Sequence, residues 1–165
     1  NSPSLKYFSA PKKEILLQKE IEFYWFGYYH KWNPQENYYY AAENYNFQTN
    51  PKGRSEGTFN KYASLDDATD PLHYYLSYIK FGLGRATSDA AHEIREGHLT
   101  REEGIQLVKK YDHEYPSDSL NTTLDYLQIS KKQLDDIIEG FQERRPHLWK
   151  KTNEGFKIKK TIFDK

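Results

Sequence analysis

The sequence predicts a mostly α fold: a bundle of short amphipathic helices with one long loop and a candidate C-terminal β-hairpin. Three observations predict it. Apolar residues recur at three- and four-residue spacing in separate windows, start signals with Pro, Ser or Thr stand before several of them, and residues 47–70 lose the pattern and fill with turn formers. A chain of 165 residues buries roughly two thirds of its unfolded surface. One domain over residues 1–165 is expected.

Over residues 12–31, Leu17, Ile21, Tyr24, Trp25 and Tyr28 fall on one helical stripe, and Pro34 then ends that helix or opens the next. Residues 35–44 continue as a second helix. The run Asn50-Pro51-Lys52-Gly53-Arg54-Ser55-Glu56-Gly57 reads as a long surface loop, and long loops in compact domains are often functional. Its second half, residues 56–67, is expected either to fold over a ligand or against another domain, or to be a mobile connector.

Asp70-Pro71 marks a helix start, with Asp as cap and Pro at the first helical position. Leu72, Tyr75, Leu76, Ile79 and Leu83 form its core face, while His73, Ser77, Lys80 and Gly84 form a polar edge. A following helix begins near Thr87. Thr100 with Glu103, and Ser130 with Gln133, fit capping boxes, each preceded by an apolar residue. Leu120, Leu124 and Leu127, then Leu134, Ile137, Ile138 and Phe141, supply further core stripes. Residues 149–159 alternate around Asn153-Glu154-Gly155 as a hairpin that needs a surface to pack on.

Composition narrows the function classes. The 24 basic and 24 acidic residues cancel, which removes the electrostatic footprint of a nucleic-acid binder. A helix-turn-helix reading is further weakened by Glu102, Glu103, Asp135, Asp136 and Glu139, which make those helices acidic. No apolar run approaches the ~18 residues of a membrane span, and no secretory signal pattern opens the chain, so a cytoplasmic protein is expected. Without Cys there is no disulfide or thiolate site, and the six His are scattered, so no metal site is expected from this chain alone. Aromatics make up 16% of residues, Tyr above all, and so many hydroxylated rings suit either a half-exposed surface or a pocket for a polar ligand.

The stretch Tyr78-Ile79-Lys80-Phe81-Gly82-Leu83-Gly84-Arg85-Ala86-Thr87-Ser88-Asp89 joins two helices with two glycines and two cations. Gly82, Gly84 and Thr87 can aim backbone N–H groups at an anion on the helix dipole, and Lys80 and Arg85 can add full charges. The same residues also serve as ordinary helix punctuation, with an Arg85–Asp89 ion pair as the structural alternative.

Several blocks together resemble the C-terminal part of the N-acetyl sugar amidotransferases, ATP-dependent enzymes of bacterial surface-sugar synthesis. They are Tyr28-Tyr29-His30-Lys31-Trp32-Asn33-Pro34-Gln35-Glu36-Asn37-Tyr38-Tyr39-Tyr40, Glu56-Gly57-Thr58-Phe59-Asn60-Lys61-Tyr62-Ala63-Ser64-Leu65-Asp66-Asp67, His73-Tyr74-Tyr75, the glycine loop, Asp89-Ala90-Ala91-His92-Glu93-Ile94-Arg95-Glu96-Gly97, and Leu99-Thr100-Arg101-Glu102-Glu103-Gly104. Members of that family carry a Ser-Gly-Gly-x-Asp-Ser phosphate loop that this chain lacks. The chain is therefore expected to be the C-terminal portion of a larger α/β ATP pyrophosphatase, with the ATP-binding domain elsewhere.

The resemblance implies ATP and Mg²⁺ in the full enzyme and no cofactor held by this segment alone. It also implies ammonia from a glutaminase subunit, and a nucleotide-linked or acidic amino sugar whose acetamido group becomes acetamidino. It implies catalytic positions for Lys80 and Arg85 at the departing pyrophosphate or a sugar carboxylate, a substrate or metal edge of Glu56, Lys61, Asp66 and Asp67, and a sugar pocket lined by His30, His73, Tyr39 and Tyr40. No contact with nucleic acid or membrane is expected. A noncatalytic docking module is the main alternative.

Overall fold

Helix starts in this chain follow the residues that open them. In the computed structural model, which describes residues 7–19 and 21–161, Asn33 caps α3 (Pro34–Tyr45) by accepting the Glu36 N–H, and Pro34 takes a first-turn position where its missing N–H costs nothing. Both expected capping boxes are formed, at Thr100 before α6 (Arg101–Tyr111) and at Ser130 before α8 (Lys131–Glu143). Between them α7 spans Leu120–Leu127. The described residues are mostly helical and end in one antiparallel hairpin, β1 (Trp149–Thr152) and β2 (Gly155–Ile158), with Trp149 opposite Ile158 and Thr152 opposite Gly155.

The chain divides into two compact units, Asn1–Trp32 and Asn33–Lys165. In the first, the long stripe expected over residues 12–31 is broken into α1 (Lys13–Gln18) and α2 (Phe26–Tyr29). Neither has a side-chain cap or a buried residue, and segments of six and four residues cannot sustain a helix by local bonds alone. Leu17, Ile21, Tyr24, Trp25 and Tyr28 are all at least 60% exposed, so the helical spacing there has no core to face.

In the second unit the core is Leu72, Ile79, Leu124, Leu134, Ile138 and Trp149, bordered by Tyr75, Leu76, Leu120 and Phe141. Leu72 and Ile79 come from α4 (Asp70–Phe81), which packs on α8. α4 starts one residue earlier than expected. Thr69 holds the cap position without a side-chain bond, Asp70 is already helical, and its carboxylate accepts from Ser64 and Tyr74 instead. Leu83, expected on the core face, lies beyond the helix end and is exposed, as are Leu127 and Ile137. The hairpin finds its surface here: the Trp149 indole is buried and donates Nε1–H to the Ile79 carbonyl at 2.8 Å. No described helix is long and apolar enough to cross a membrane.

Candidate functional site

The loop between α3 and α4 is a fixed wall. At Gly57 the φ of +85° disfavours any other residue, and an added Cβ would stand a tight 3.1 Å from the Tyr74 Cβ. That close approach accompanies contacts from residues 54–62 to three acidic side chains, Glu114, Asp89 and Glu93. Arg54 grips the Glu114 carboxylate with two parallel bonds of 2.7 Å, and the Gly57 N–H donates to the same carboxylate at 2.9 Å. Thr58, fully buried, donates its hydroxyl to Asp89 at 2.5 Å. Tyr62 reaches Glu93 at 3.4 Å, and Glu93 also meets the His98 imidazole at 2.7 Å.

Two of these groups, Glu114 and Tyr62, titrate away from their ordinary values. Burial alone would raise Glu114, but the hydrogen bonds from Arg54 and Gly57, with the Arg54 charge, hold it below the ordinary carboxylate range. Burial together with the Glu93 and Asp89 charges pushes the Tyr62 phenol up to about 12.

Behind this wall lies an open cleft of about 400 Å³. Glu56, Asp66, Asp67 and Asp118 face it with Lys52 and Arg54, and Asn50, Ser55, Ser64 and Ser119 add neutral polar groups. Glu56 accepts the Asp118 backbone N–H at 2.9 Å. Burial pushes its carboxyl above the ordinary range; that N–H opposes the shift, while the charges of Asp118 and Glu114 reinforce it. Asp67 moves the other way, lowered by the Thr69 hydroxyl and N–H, both at 2.7 Å. A mixed set of carboxylates, hydroxyls, an amide and one lysine suits a ligand rich in hydroxyl groups.

The glycine loop is arranged differently. Gly82 closes α4 in the left-handed conformation, and α5 (Arg85–Arg95) begins at Arg85 with Gly84 as its cap, two residues before the expected start at Thr87. The anion at this helix end is the chain's own Asp112. Its carboxylate accepts the Gly84 N–H at 2.7 Å, the Thr87 N–H at 2.9 Å and the Thr87 hydroxyl at 2.8 Å. An added Cβ on Gly84 would stand 2.5 Å from the Asp112 carbonyl oxygen, so only glycine allows this approach.

Arg85 donates Nε–H to Asp89 at 2.7 Å and lies over the Tyr74 ring at 5.4 Å, while Lys80 lies over Phe141 at 4.8 Å. The two cations thus have different surroundings. Asp89 carries both Arg85 and Thr58 and so links α5 to the loop wall.

The remaining sequence candidates are dispersed. Lys61 is exposed at the loop surface, where its carbonyl accepts the Asn50 N–H at 2.9 Å. His73 stands exposed beside Tyr74. Tyr39 and Tyr40 are exposed on α3, the first accepting from Gln35 at 3.3 Å. His30 belongs to the first unit and stacks on Phe26 at 4.8 Å. Among them, Glu56, Asp66 and Asp67 share the cleft.

Sequence reasoning missed Lys52, Arg54 and the connector after α6, which supplies Asp112, Glu114 and Asp118. The one available signal was an acid-rich run, Asp112-His113-Glu114-Tyr115-Pro116-Ser117-Asp118, between two helix patterns.

With this geometry established, comparison with protein families is informative. Residues 56–162 match the family described as LPS biosynthesis protein WbpG-like, C-terminal domain. The chain belongs to this family. The match begins at Glu56, inside the loop wall, and contains the connector, the core helices and the hairpin. Comparison with curated proteins finds no match. Membership makes the chain part of an LPS biosynthesis protein.

Proposed function

We propose that this chain is the substrate-binding C-terminal part of an ATP-dependent N-acetyl sugar amidotransferase acting in the cytoplasm, and that the cleft beside the loop wall receives the sugar. The observation that carries the proposal is the convergence of Glu56, Asp66, Asp67 and Lys52 on one cleft within a domain of the LPS biosynthesis family. Carboxylates and amides accept and donate to sugar hydroxyls, and Lys52 offers a charge for the phosphate of a nucleotide-linked sugar.

In the proposed reaction the acetamido oxygen attacks the α-phosphorus of ATP and pyrophosphate leaves. Ammonia supplied by a glutaminase subunit then adds to the activated carbon, AMP departs with the original oxygen, and a proton is lost to leave the acetamidino group. The chain's residues perform the binding part: they hold the sugar, fix the direction of the acetamido group and shield it from water. Lys80 and Arg85 are the proposed edge toward the departing pyrophosphate, whereas the Gly84 and Thr87 donors beside them are taken by Asp112. Arg85 commits its Nε–H to Asp89 and can turn its two Nη groups to an oxyanion.

Among the described residues no three carboxylates or imidazoles converge as ligands, and no step of this chain is assigned to Mg²⁺.

The experiment is direct. The intact protein is supplied with ATP, Mg²⁺, ammonium and a nucleotide-linked N-acetyl sugar, and products are separated by mass spectrometry. Acetamidino sugar formed in step with AMP and pyrophosphate is expected. Unchanged sugar over a panel of such substrates, or ATP cleaved to ADP, would remove the amidotransferase reading. One observation favours a second role, protein docking, for the first unit: its rings, from Tyr7 to Trp32, are all exposed.

A further inference from the structure

Two helices end close together near the start of the hairpin. Lys80 stands in the last turn of α4, Arg144 holds the C-cap of α8, and Arg145 follows it. All three cations gather on one half-buried ring: the Lys80 ammonium and the central guanidinium carbons of Arg144 and Arg145 lie 4.8, 5.3 and 5.2 Å from the Phe141 centroid. They therefore stand within about one Debye length of each other, ~10 Å at 0.1 M salt, and repel. Both arginines bend back toward their helix. Arg145 donates Nη1–H to the Phe141 carbonyl at 3.2 Å, and the Arg144 Nη1 lies over Gly140, 3.6 Å from where a Cβ there would stand.

The carboxylates of both helices are engaged elsewhere. On α8, Asp135 is bonded to Lys131, Asp136 to Lys132, and Glu139 and Glu143 both to Lys151. On α4, Asp70 lies at the opposite end with Ser64 and Tyr74. Among the described residues no carboxylate forms an ion pair with Lys80, Arg144 or Arg145. The helix ends offset only part of this charge. Each C-terminus carries about half a negative charge, so the two together balance roughly one of the three cations. The ring attracts them but brings no net charge.

A surplus of about two positive charges selects among anions. A phosphoryl group carries about −1.5 to −2 near pH 7 and presents oxygens that the arginine fork can grip, whereas a sugar carboxylate brings a single charge.

We propose that Lys80, Arg144 and Arg145 form a binding site for a phosphoryl group, free or attached to a sugar. The site shares Lys80 with the pyrophosphate edge proposed above, but it stands on the three cations and not on the amidotransferase reading, so phosphate binding and turnover can fail separately.

The test uses the ¹⁵N-labelled 165-residue chain in ~0.15 M salt, titrated separately with inorganic phosphate, glucose 1-phosphate and glucuronate and read by amide shifts. Phosphate or glucose 1-phosphate is expected to move the Phe81 and Arg145 amides saturably at millimolar concentration. Saturation by both identifies the free anion as sufficient, and saturation by glucose 1-phosphate alone identifies a sugar-linked group. Glucuronate should bind at least about tenfold more weakly. Arg144→Gln changes an exposed side chain and is expected to keep the melting temperature while weakening phosphate binding about tenfold, as should Lys80→Gln. Lys132→Gln, which removes a cation elsewhere on α8, should leave it unchanged. The proposal fails if no shift at these amides saturates, if glucuronate binds as tightly as the phosphates, or if folded Arg144→Gln and Lys80→Gln bind like the parent chain.

Discussion

At the scale of single residues, acidic side chains do most of the organising. Asp112 satisfies three donors at the start of α5, from Gly84 and Thr87, from 28 and 25 residues further along the chain, and it is 5% exposed. Removing it leaves those donors facing a void where water is nearly excluded. Asp112→Ala is expected to cost about 2–4 kcal/mol, the range for a buried charged hydrogen-bonding group, measured as a shift in the urea midpoint. A change within about 0.5 kcal/mol would mean that water replaces the carboxylate without penalty.

Glu114 makes a prediction with a definite sign. Its folded pKa lies below the ordinary value of 4.5, so its contribution is fully present above pH 4.5 and is lost as pH falls from there through the lowered folded value. Glu56, raised in the folded state, runs the opposite way: its contribution favours folding at low pH and is lost as pH rises through the folded value. Arg54→Met should therefore flatten the loss of stability below pH 4.5, followed by denaturant unfolding at several pH values. Equal slopes in the two proteins would show that the clamp carries no linked proton.

At the scale of elements, the capping chemistry and the core stripes were legible because they are local. Ser130 with Gln133 and Thr100 with Glu103 carry their own instructions, and Thr100→Ala should cost about 1 kcal/mol by loss of the cap. The hairpin was legible from alternation around Asn153-Glu154, but its anchor was not, because the Ile79 carbonyl is supplied by α4. Trp149→Ala is expected to cost about 3–5 kcal/mol in equilibrium unfolding, since it empties a core position and strands that bond. A smaller loss, below about 1 kcal/mol, would indicate that the hairpin is not docked.

What stayed illegible has a common physical cause. The helical spacing of Leu17, Ile21 and Tyr24 looked like a core stripe, but spacing cannot say whether a core is there to bury it. The cleft likewise depends on pairs such as Arg54–Glu114, separated by 60 residues, and no local pattern announces them. The sequence marked the glycine loop as a candidate anion site and left helix punctuation as the alternative. That the anion is Asp112 followed only from the fold.

At the scale of the whole molecule, balanced charge sets the expectations for partners. The 165-residue chain alone should bind ATP with a dissociation constant weaker than about 10 μM by calorimetry, because the helix end that would suit phosphate is held by Asp112. Duplex DNA should not bind with sequence preference at ~200 mM salt, where nonspecific phosphate contacts have faded.

The central claim is that the cleft binds the sugar, and substrate kinetics of the intact enzyme test it most directly. Lys52→Ala and Glu56→Gln each remove one polar contact, and the second keeps an oxygen to accept the Asp118 N–H. Each is predicted to lower kcat/KM for the sugar about 10–100-fold, with KM for ATP and the melting temperature unchanged. Lys80→Ala and Arg85→Ala, assayed beside them, should instead lower kcat by ~10² if those cations meet the pyrophosphate. Unchanged sugar kinetics in both cleft variants would contradict the account.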